Sequence, residues 1–239
     1  MAFSTDRTQG KVLVVAATSA SSVWGTAETT LRGCGIQVRK AATGEEALSL
    51  LRRMHYDSVL LDVDLPGMGG VGTCTRVRNE FPNIQIIVVA IQDSVEDRIE
   101  ALNAGADHFI TKPFHTQEFI AQIRAAVRRL RVSANRTDAP IVVGDFHLDV
   151  AKRVVEKDGR EIRLTTTEFN LLYQLMANAG RPILHSVLLD LVWGNHTDKE
   201  RVYLRIYISQ LRKKLEAIPT QPRFLLTYSS VGYVFANPK

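Results

Sequence analysis

Cysteine is scarce. Cys34 and Cys74 are the only two in 239 residues, and neither stands in a CxxC pair or beside histidines at metal-ligand spacing. A disulfide scaffold and a zinc module are excluded on that count, and two isolated thiols read as reduced core or surface groups. No stretch approaches the roughly 18 consecutive apolar residues that a membrane-crossing helix needs. The N-terminus lacks a basic segment leading into an apolar core, so no secretory leader is expected. Also missing is a GxGxxG or Walker loop after the first apolar run, where Ala16 to Ser22 stand instead. That counts against an enzyme built on a dinucleotide or nucleoside triphosphate. These absences leave the expectation of a cytoplasmic protein, away from membranes and without catalytic activity of its own.

What is present is ample core material and an uneven charge. Hydrophobic residues make up 45% of the chain, enough for one or two buried cores. The net charge is +5, from 30 Lys and Arg against 25 Asp and Glu. Residues 141–239 hold 14 basic against 10 acidic side chains, whereas residues 1–140 hold 16 against 15. The basic excess therefore lies in the C-terminal part, where nucleic acid is the natural partner.

Strand-like and helix-like runs alternate through the first half. KVLVVAA (Lys11 to Ala17), IQVRKAA, SVLLDVDLP, NIQIIVVAI and DHFITKPF read as strands. Between and after them SSVWGTAETTLRGCG, TGEEALSLLRRM, SVEDRIEALNAGA and HTQEFIAQIRAAVRRL read as helices. Five such strands predict an α/β domain, a doubly wound parallel sheet with helices on both faces. Chemistry in such sheets gathers at the carboxyl ends of the strands, here Ala16 and Ala17, Asp62, Ala90 and Lys112. RVSANRTDAP combines polar, small and proline residues without periodicity and reads as a linker. The chain is thus divided into residues 1–131 (with a polar leader, 1–10), a linker at 132–140, and a second domain at 141–239.

The second domain opens with alternating apolar and polar residues, broken at Val143-Gly144-Asp145 and at Lys157 to Arg160, which predicts a short antiparallel sheet. Thr165 and Glu168 form a capping box at the start of a helix whose buried stripe is Phe169, Leu171, Leu172, Leu175 and Met176. A further helix ends at Gly194. In RVYLRIYISQLRKKLE, Leu204, Ile208, Leu211 and Leu215 form one apolar stripe. Ile206, Ser209 and Lys213 fall on the opposite side with Arg205 and Arg212 flanking them. The run PRFLLTYSSVGYVF then predicts a returning hairpin. Helix followed by hairpin is the outline of a winged helix, whose long helix enters a DNA major groove.

LLDVDLPGMGG, followed by GADHFITKPF, resembles the receiver domain of two-component response regulators. LTTTEF, LLDLVWG, ISQLRKKLE and VGYVF, in that order, resemble the winged-helix effector domain of the OmpR/PhoB family, so the likeness spans nearly the whole chain. Within that family YLRIYISQLRKKLE, with NHTDKE before it, is similar to the potassium-responsive regulators. The resemblance implies a CheY-like (βα)5 receiver joined to a winged helix-turn-helix. It makes Asp62 the phosphoacceptor equivalent, Lys112 the phosphoryl-contacting lysine, Phe109 the switch aromatic, and Lys112-Pro113 a candidate cis peptide.

The departures carry as much information. Where the family has an acidic pair holding Mg²⁺, this chain has Ala16-Ala17, and Ala90 replaces the usual Ser or Thr. Mg²⁺ in phosphoryl-transfer sites depends on carboxylate oxygens. The expectation is therefore no metal cofactor, no control by phosphorylation, and Asp62 paired with Lys112. The other open reading is a phosphorylation-controlled regulator served by a sensor kinase, with Asp64 as a makeshift ligand.

The family's twofold receiver face implies a homodimer through Arg98 with Glu118 and Asp107 with Arg124, while His108 and Gln122, where an acid and a base are usual, leave a neutral hydrogen bond in place of a third charged pair. Promoter DNA is the expected ligand and RNA polymerase the expected partner. Arg205, Ser209, Arg212 and Ile206 are candidates for base edges, and Arg201, Lys213, Trp193 and Thr165 for phosphates. In the wing, Ser229-Ser230 replaces a usual Arg-Gly. Tyr228 and Ser229 bring hydrogen bonds but no charge, which predicts weak minor-groove readout.

Overall fold

A computed structural model describes residues 10–17, 22–91, 94–112, 139–194, 201–228 and 231–236. The chain divides into two compact units, residues 1–128 and 129–239. The helix expected over 115–130, the Lys112-Pro113 bond and most of the linker lie outside the described residues. Among the described residues no helix is long and apolar enough to cross a membrane.

The first unit is built on five parallel strands: β1 (Lys11–Val15), β2 (Gln37–Ala41), β3 (Ser58–Asp62), β4 (Gln85–Ala90) and β5 (His108–Thr111). Their spatial order is β2-β1-β3-β4-β5, the doubly wound order of the CheY type. Strands β3 and β4 are buried at every residue, because a parallel sheet is covered on both faces. Edge strand β2 is instead buried only at Val38 and Ala41. Helices α1 (Ser22–Gly33), α2 (Gly44–Arg53), α3 (Gly69–Glu80) and α4 (Val95–Asn103) connect the strands. Thr43 caps α2 by accepting from the Glu46 amide, and Ser94 caps α4 by accepting from the Asp97 amide. Trp24, Ala27 and Leu31 turn one side of α1 into the core against Val12, Val14 and Leu60.

Two features fix α3 beneath the sheet. Gly70 runs so close to the end of β3 that a Cβ there would lie 2.5 Å from the Asp62 carbonyl oxygen. Arg78 donates to the carbonyls of Gly105, Pro82 and Ile84 and ion-pairs with Asp107 at 2.6 Å. The same Asp107 oxygen accepts the Ile86 amide, so a buried charge pair bolts α3 to the starts of β4 and β5. Cys74, also on α3, is buried, and desolvation pushes its thiol up to about 12, which keeps it inert.

The second unit begins with a four-stranded antiparallel sheet, β6 (Ile141–Val143), β7 (Phe146–Asp149), β8 (Val154–Lys157) and β9 (Arg160–Glu161), in sequential order. Three helices follow: α5 (Thr166–Ala177), α6 (His185–Trp193) and α7 (Arg201–Leu215). The capping box at Thr165 and Glu168 is present in both directions. Gly194 closes α6 at φ +88°, a left-handed conformation that suits glycine. The chain ends in a hairpin of β11 (Leu225–Tyr228) and β12 (Gly232–Phe235). Strand β10 (Ile183–Leu184), which the sequence pattern does not announce, adds to the other edge of β12. There Gly232 is required, since a Cβ would collide with the Ile183 carbonyl oxygen. Phe146 packs edge-on against Phe224 and Phe235, with ring centroids 4.8 and 5.3 Å away, joining both sheets.

Replacing Arg78 by Met would strand the Asp107 carboxylate in the interior. Equilibrium urea unfolding is expected to show a loss of about 3–5 kcal/mol in the first unit. The second unit's transition should stay where it is.

Candidate functional site

Asp62 ends β3 and is only 1% exposed. A carboxylate at that depth needs donors, and three of the described residues supply them. Lys112 Nζ donates to Oδ2 at 2.7 Å, Trp24 Nε1 donates to the same oxygen at 2.7 Å, and the Asp64 amide donates to Oδ1 at 3.2 Å. Lys112 Nζ also lies 5.2 Å from the Trp24 ring centroid. Lysine and indole thus hold each other as well as the carboxylate. The Lys112 backbone is tied in by its amide, which donates to the Ala90 carbonyl at 2.7 Å.

The residues around Asp62 do not fit a magnesium ion. Mg²⁺ needs oxygen ligands in near-octahedral geometry, yet Ala16 and Ala17 present methyl groups and Ala90 is apolar. Asp64 is exposed and contributes its amide rather than its carboxylate. Among the described residues no cluster of three His, Cys, Asp or Glu side chains could hold a metal. Trp24 was not picked out from the sequence. Its place on the inward stripe of α1 with Ala27 and Leu31 marks it as core, but nothing in that spacing discloses that its N–H reaches β3.

The charged pairs expected at a twofold face need correction. Asp107 is 0% exposed and its Oδ2 is engaged by Arg78 and the Ile86 amide. Arg98 and His108 are also buried, and the Arg98 guanidinium lies 5.7 Å from the ring centroid of the buried Phe109. Glu118, Gln122 and Arg124 lie outside the described residues. Besides its acidic side chains, α4 exposes two apolar ones, Val95 and Ile99, with Ile91 just before the helix.

In the second unit α7 buries Tyr203, Leu204, Tyr207, Ile208, Leu211 and Leu215. Arg201, Arg205, Ser209 and Lys213 recur every four residues on its exposed face, with Ile206 half-buried beside them. Tyr228 is 55% exposed at the end of β11, and the Val231 amide closes the wing turn onto its carbonyl at 3.0 Å. Ser229 lies outside the described residues.

Two candidates for DNA contact are engaged within the protein. Arg212 donates from Nε to the Leu225 carbonyl at 2.9 Å and from Nη2 to Thr227 Oγ1 at 2.8 Å. It anchors the hairpin to α7 rather than reaching for base edges. Trp193 is buried with its ring 5.4 Å from Tyr207. Thr165 stands at the N-terminus of α5, where its hydroxyl oxygen accepts the Glu168 amide.

The end of α7 is held by further contacts that the sequence pattern leaves unmarked. Glu216 accepts the amides of Arg223, Phe224 and Leu225 at 2.8–2.9 Å. Lys214 ion-pairs with the buried Glu168 at 2.6 Å, and Lys157 donates to the Leu215 carbonyl at 2.9 Å. At the other end, His185 stacks edge-on against Tyr233. Burial holds its pKa below the ordinary value of 6.5, helped by the positive charge of Arg201 and Arg205.

Comparison with known proteins agrees with this geometry. Residues 14–124 match the family described as response regulator receiver domain, and residues 159–235 the family described as transcriptional regulatory protein, C terminal. Transcriptional regulatory protein KdpE of Mycobacterium tuberculosis (strain ATCC 25618 / H37Rv) is 41% identical over 201 residues, covering 84% of this chain and 88% of that one. Probable transcriptional regulator ycf27 of Porphyridium aerugineum is 39% identical over 215 residues, covering 87% and 89%. Among solved structures, a mutant of RitR has a TM-score of 0.77 at 23% identity over 96% of this chain and 100% of that one, a likeness of fold alone. DrrB, a Thermotoga maritima OmpR/PhoB homologue, has a TM-score of 0.50 at 27% identity, covering 95% and 99%.

The depressed pKa of His185 gives a signed expectation for stability. The unfolded chain takes up the proton first, so stability is present above pH ~6.5 and falls as the pH drops below it. Melting temperature followed from pH 8 to pH 5 should decline more steeply for the wild type than for His185→Gln.

Proposed function

Since the chain belongs to the OmpR/PhoB response regulators, we propose that it is a sequence-specific transcription regulator whose receiver acts without Mg²⁺-dependent phosphorylation. The observation that carries this reading is the double donation onto Asp62 Oδ2. Phosphoryl transfer requires an attacking oxygen in line with the leaving group and a cation to neutralise the equatorial oxygens. Here one carboxylate oxygen is shared by an ammonium and an indole, the other accepts a backbone amide, and the side chain is sealed from solvent. A sensor kinase would meet no accessible carboxylate. The phosphorylated alternative requires Trp24 to leave its place in the core, giving up both its burial and its hydrogen bond.

On this reading the regulator is a dimer in its resting form. Ile91, Val95 and Ile99 supply an exposed apolar strip on and beside α4 that suits a twofold contact between receivers, in place of the charged pairs. From promoter DNA the dimer would act on RNA polymerase. Recognition rests on α7. Arg205, Ser209 and Ile206 serve base edges, while Arg201 and Lys213 serve phosphates. Tyr228, and Ser229 beside it, give the wing polar contacts without an added charge, so discrimination falls mainly to the major groove.

Incubation with acetyl phosphate and Mg²⁺ is expected to leave the intact mass of the protein and its affinity for promoter DNA unchanged. A phosphoryl adduct on Asp62 accompanied by tighter binding would defeat the proposal. On the DNA side, Arg205→Ala should cost ~1–3 kcal/mol on the specific site and little on random DNA. Arg212→Ala, which loosens the hairpin, should weaken both alike. Fluorescence anisotropy with matched and scrambled duplexes separates the two.

A further inference from the structure

Trp24 has a second face. With Val14 and the methyl groups of Ala16, Ala17, Ala41 and Ala42 it lines a cavity of about 150 Å³ at the carboxyl ends of β1 and β2. Lys40 completes the lining. It opens on the β2 side of β1, at the carboxyl-end face where doubly wound sheets gather their chemistry. Where an acidic pair would have put carboxylates, Ala16 and Ala17 contribute methyl groups to the described lining.

We propose that this cavity binds a neutral, single-ring aromatic molecule, whose presence is transmitted to Asp62 through Trp24. Size, lining and charge each narrow the choice. A volume of about 150 Å³ is that of a cavity that accepts benzene, so one six-membered ring is the upper limit. Among the described lining residues the Trp24 indole offers the only aromatic surface, and an aromatic guest gains an offset or edge-on contact with it beyond simple burial. The one charged group among them, Lys40, forms an ion pair with Glu28, which also pairs with Arg32 at 2.9 Å. These partners hold the Glu28 carboxyl below its usual range. The Lys40 charge is thus already compensated, and an anionic guest would compete with Glu28 for it.

Transmission needs no long path. The indole that walls the cavity is the same group that donates to Asp62 Oδ2 beside Lys112. A guest that presses on the ring must shift or tighten that hydrogen bond. Only this second half rests on the phosphorylation-independent reading, because it treats the Trp24, Asp62 and Lys112 cluster as the receiver's working input.

The test is a titration of benzene into the full-length protein carrying ¹³C-labelled alanine methyls and ¹⁵N-labelled tryptophan. Saturable shifts are expected at Ala16, Ala17, Ala41 and Ala42 and at the Trp24 indole N–H. They should vanish in Ala17→Leu and in Ala42→Leu, which fill the cavity from two walls. Absence of a saturable shift, or shifts that persist in both filled variants, overturns the site. Movement of the four alanines without the Trp24 N–H overturns the link to Asp62. Benzoate should bind more weakly than benzene, and tighter benzoate binding overturns the neutral assignment. Saturable benzene binding by a protein that acetyl phosphate also modifies would remove the phosphorylation-independent reading and leave the aromatic site standing.

Discussion

A carboxylate buried at the end of a central strand sets the terms for the first unit. Without water, Asp62 must be neutralised and hydrogen-bonded by the protein itself, or its desolvation would oppose folding. Lys112 provides the charge and Trp24 the second donor, and they come from opposite ends of the domain's sequence. Meeting that one requirement fixes the position of α1, whose inward stripe carries Trp24. It also fixes the end of β5, whose following residue is Lys112. On the proposed reading the same arrangement makes Asp62 a structural anion, held by an ammonium and an indole.

The second unit answers a different demand, which is to hold α7 with a basic face exposed. Basic side chains are divided between two tasks. Arg201, Arg205 and Lys213 point outward, whereas Arg212, Lys214 and Lys157 turn inward to the hairpin, to α5 and to the last carbonyl of α7. Glu216 completes the clamp by taking three consecutive amides of the returning chain. On the proposed reading, a helix fixed at its C-terminal end by so many directional contacts would meet the major groove in one orientation. That preorganisation lowers the entropic cost of recognition.

Uncharged groups substitute for charged ones in several places. On the proposed reading, Ala16 and Ala17 stand in the crevice and Ser229 and Ser230 in the wing where the resembled family carries charge, and α4 exposes Val95 and Ile99. Each change weakens a long-range electrostatic contribution and leaves contact and shape in its place.

Much of this was legible from residues alone. Strands β1, β3 and β4 announce themselves as unbroken apolar runs, because both faces of a parallel sheet are covered. The cap at Thr165, the stop at Gly194 and the division of α7 into buried and exposed faces follow from periodicity and local hydrogen bonding, which act over a few residues. Tertiary structure alone decided which polar groups meet across the fold. Trp24 finds Asp62 38 residues away, and Arg78 finds Asp107 29 residues away. Arg212, exposed by helical phase, is claimed by a strand 13 residues further on. Periodicity tells a side chain which way to face. Only the packed chain determines what it finds there.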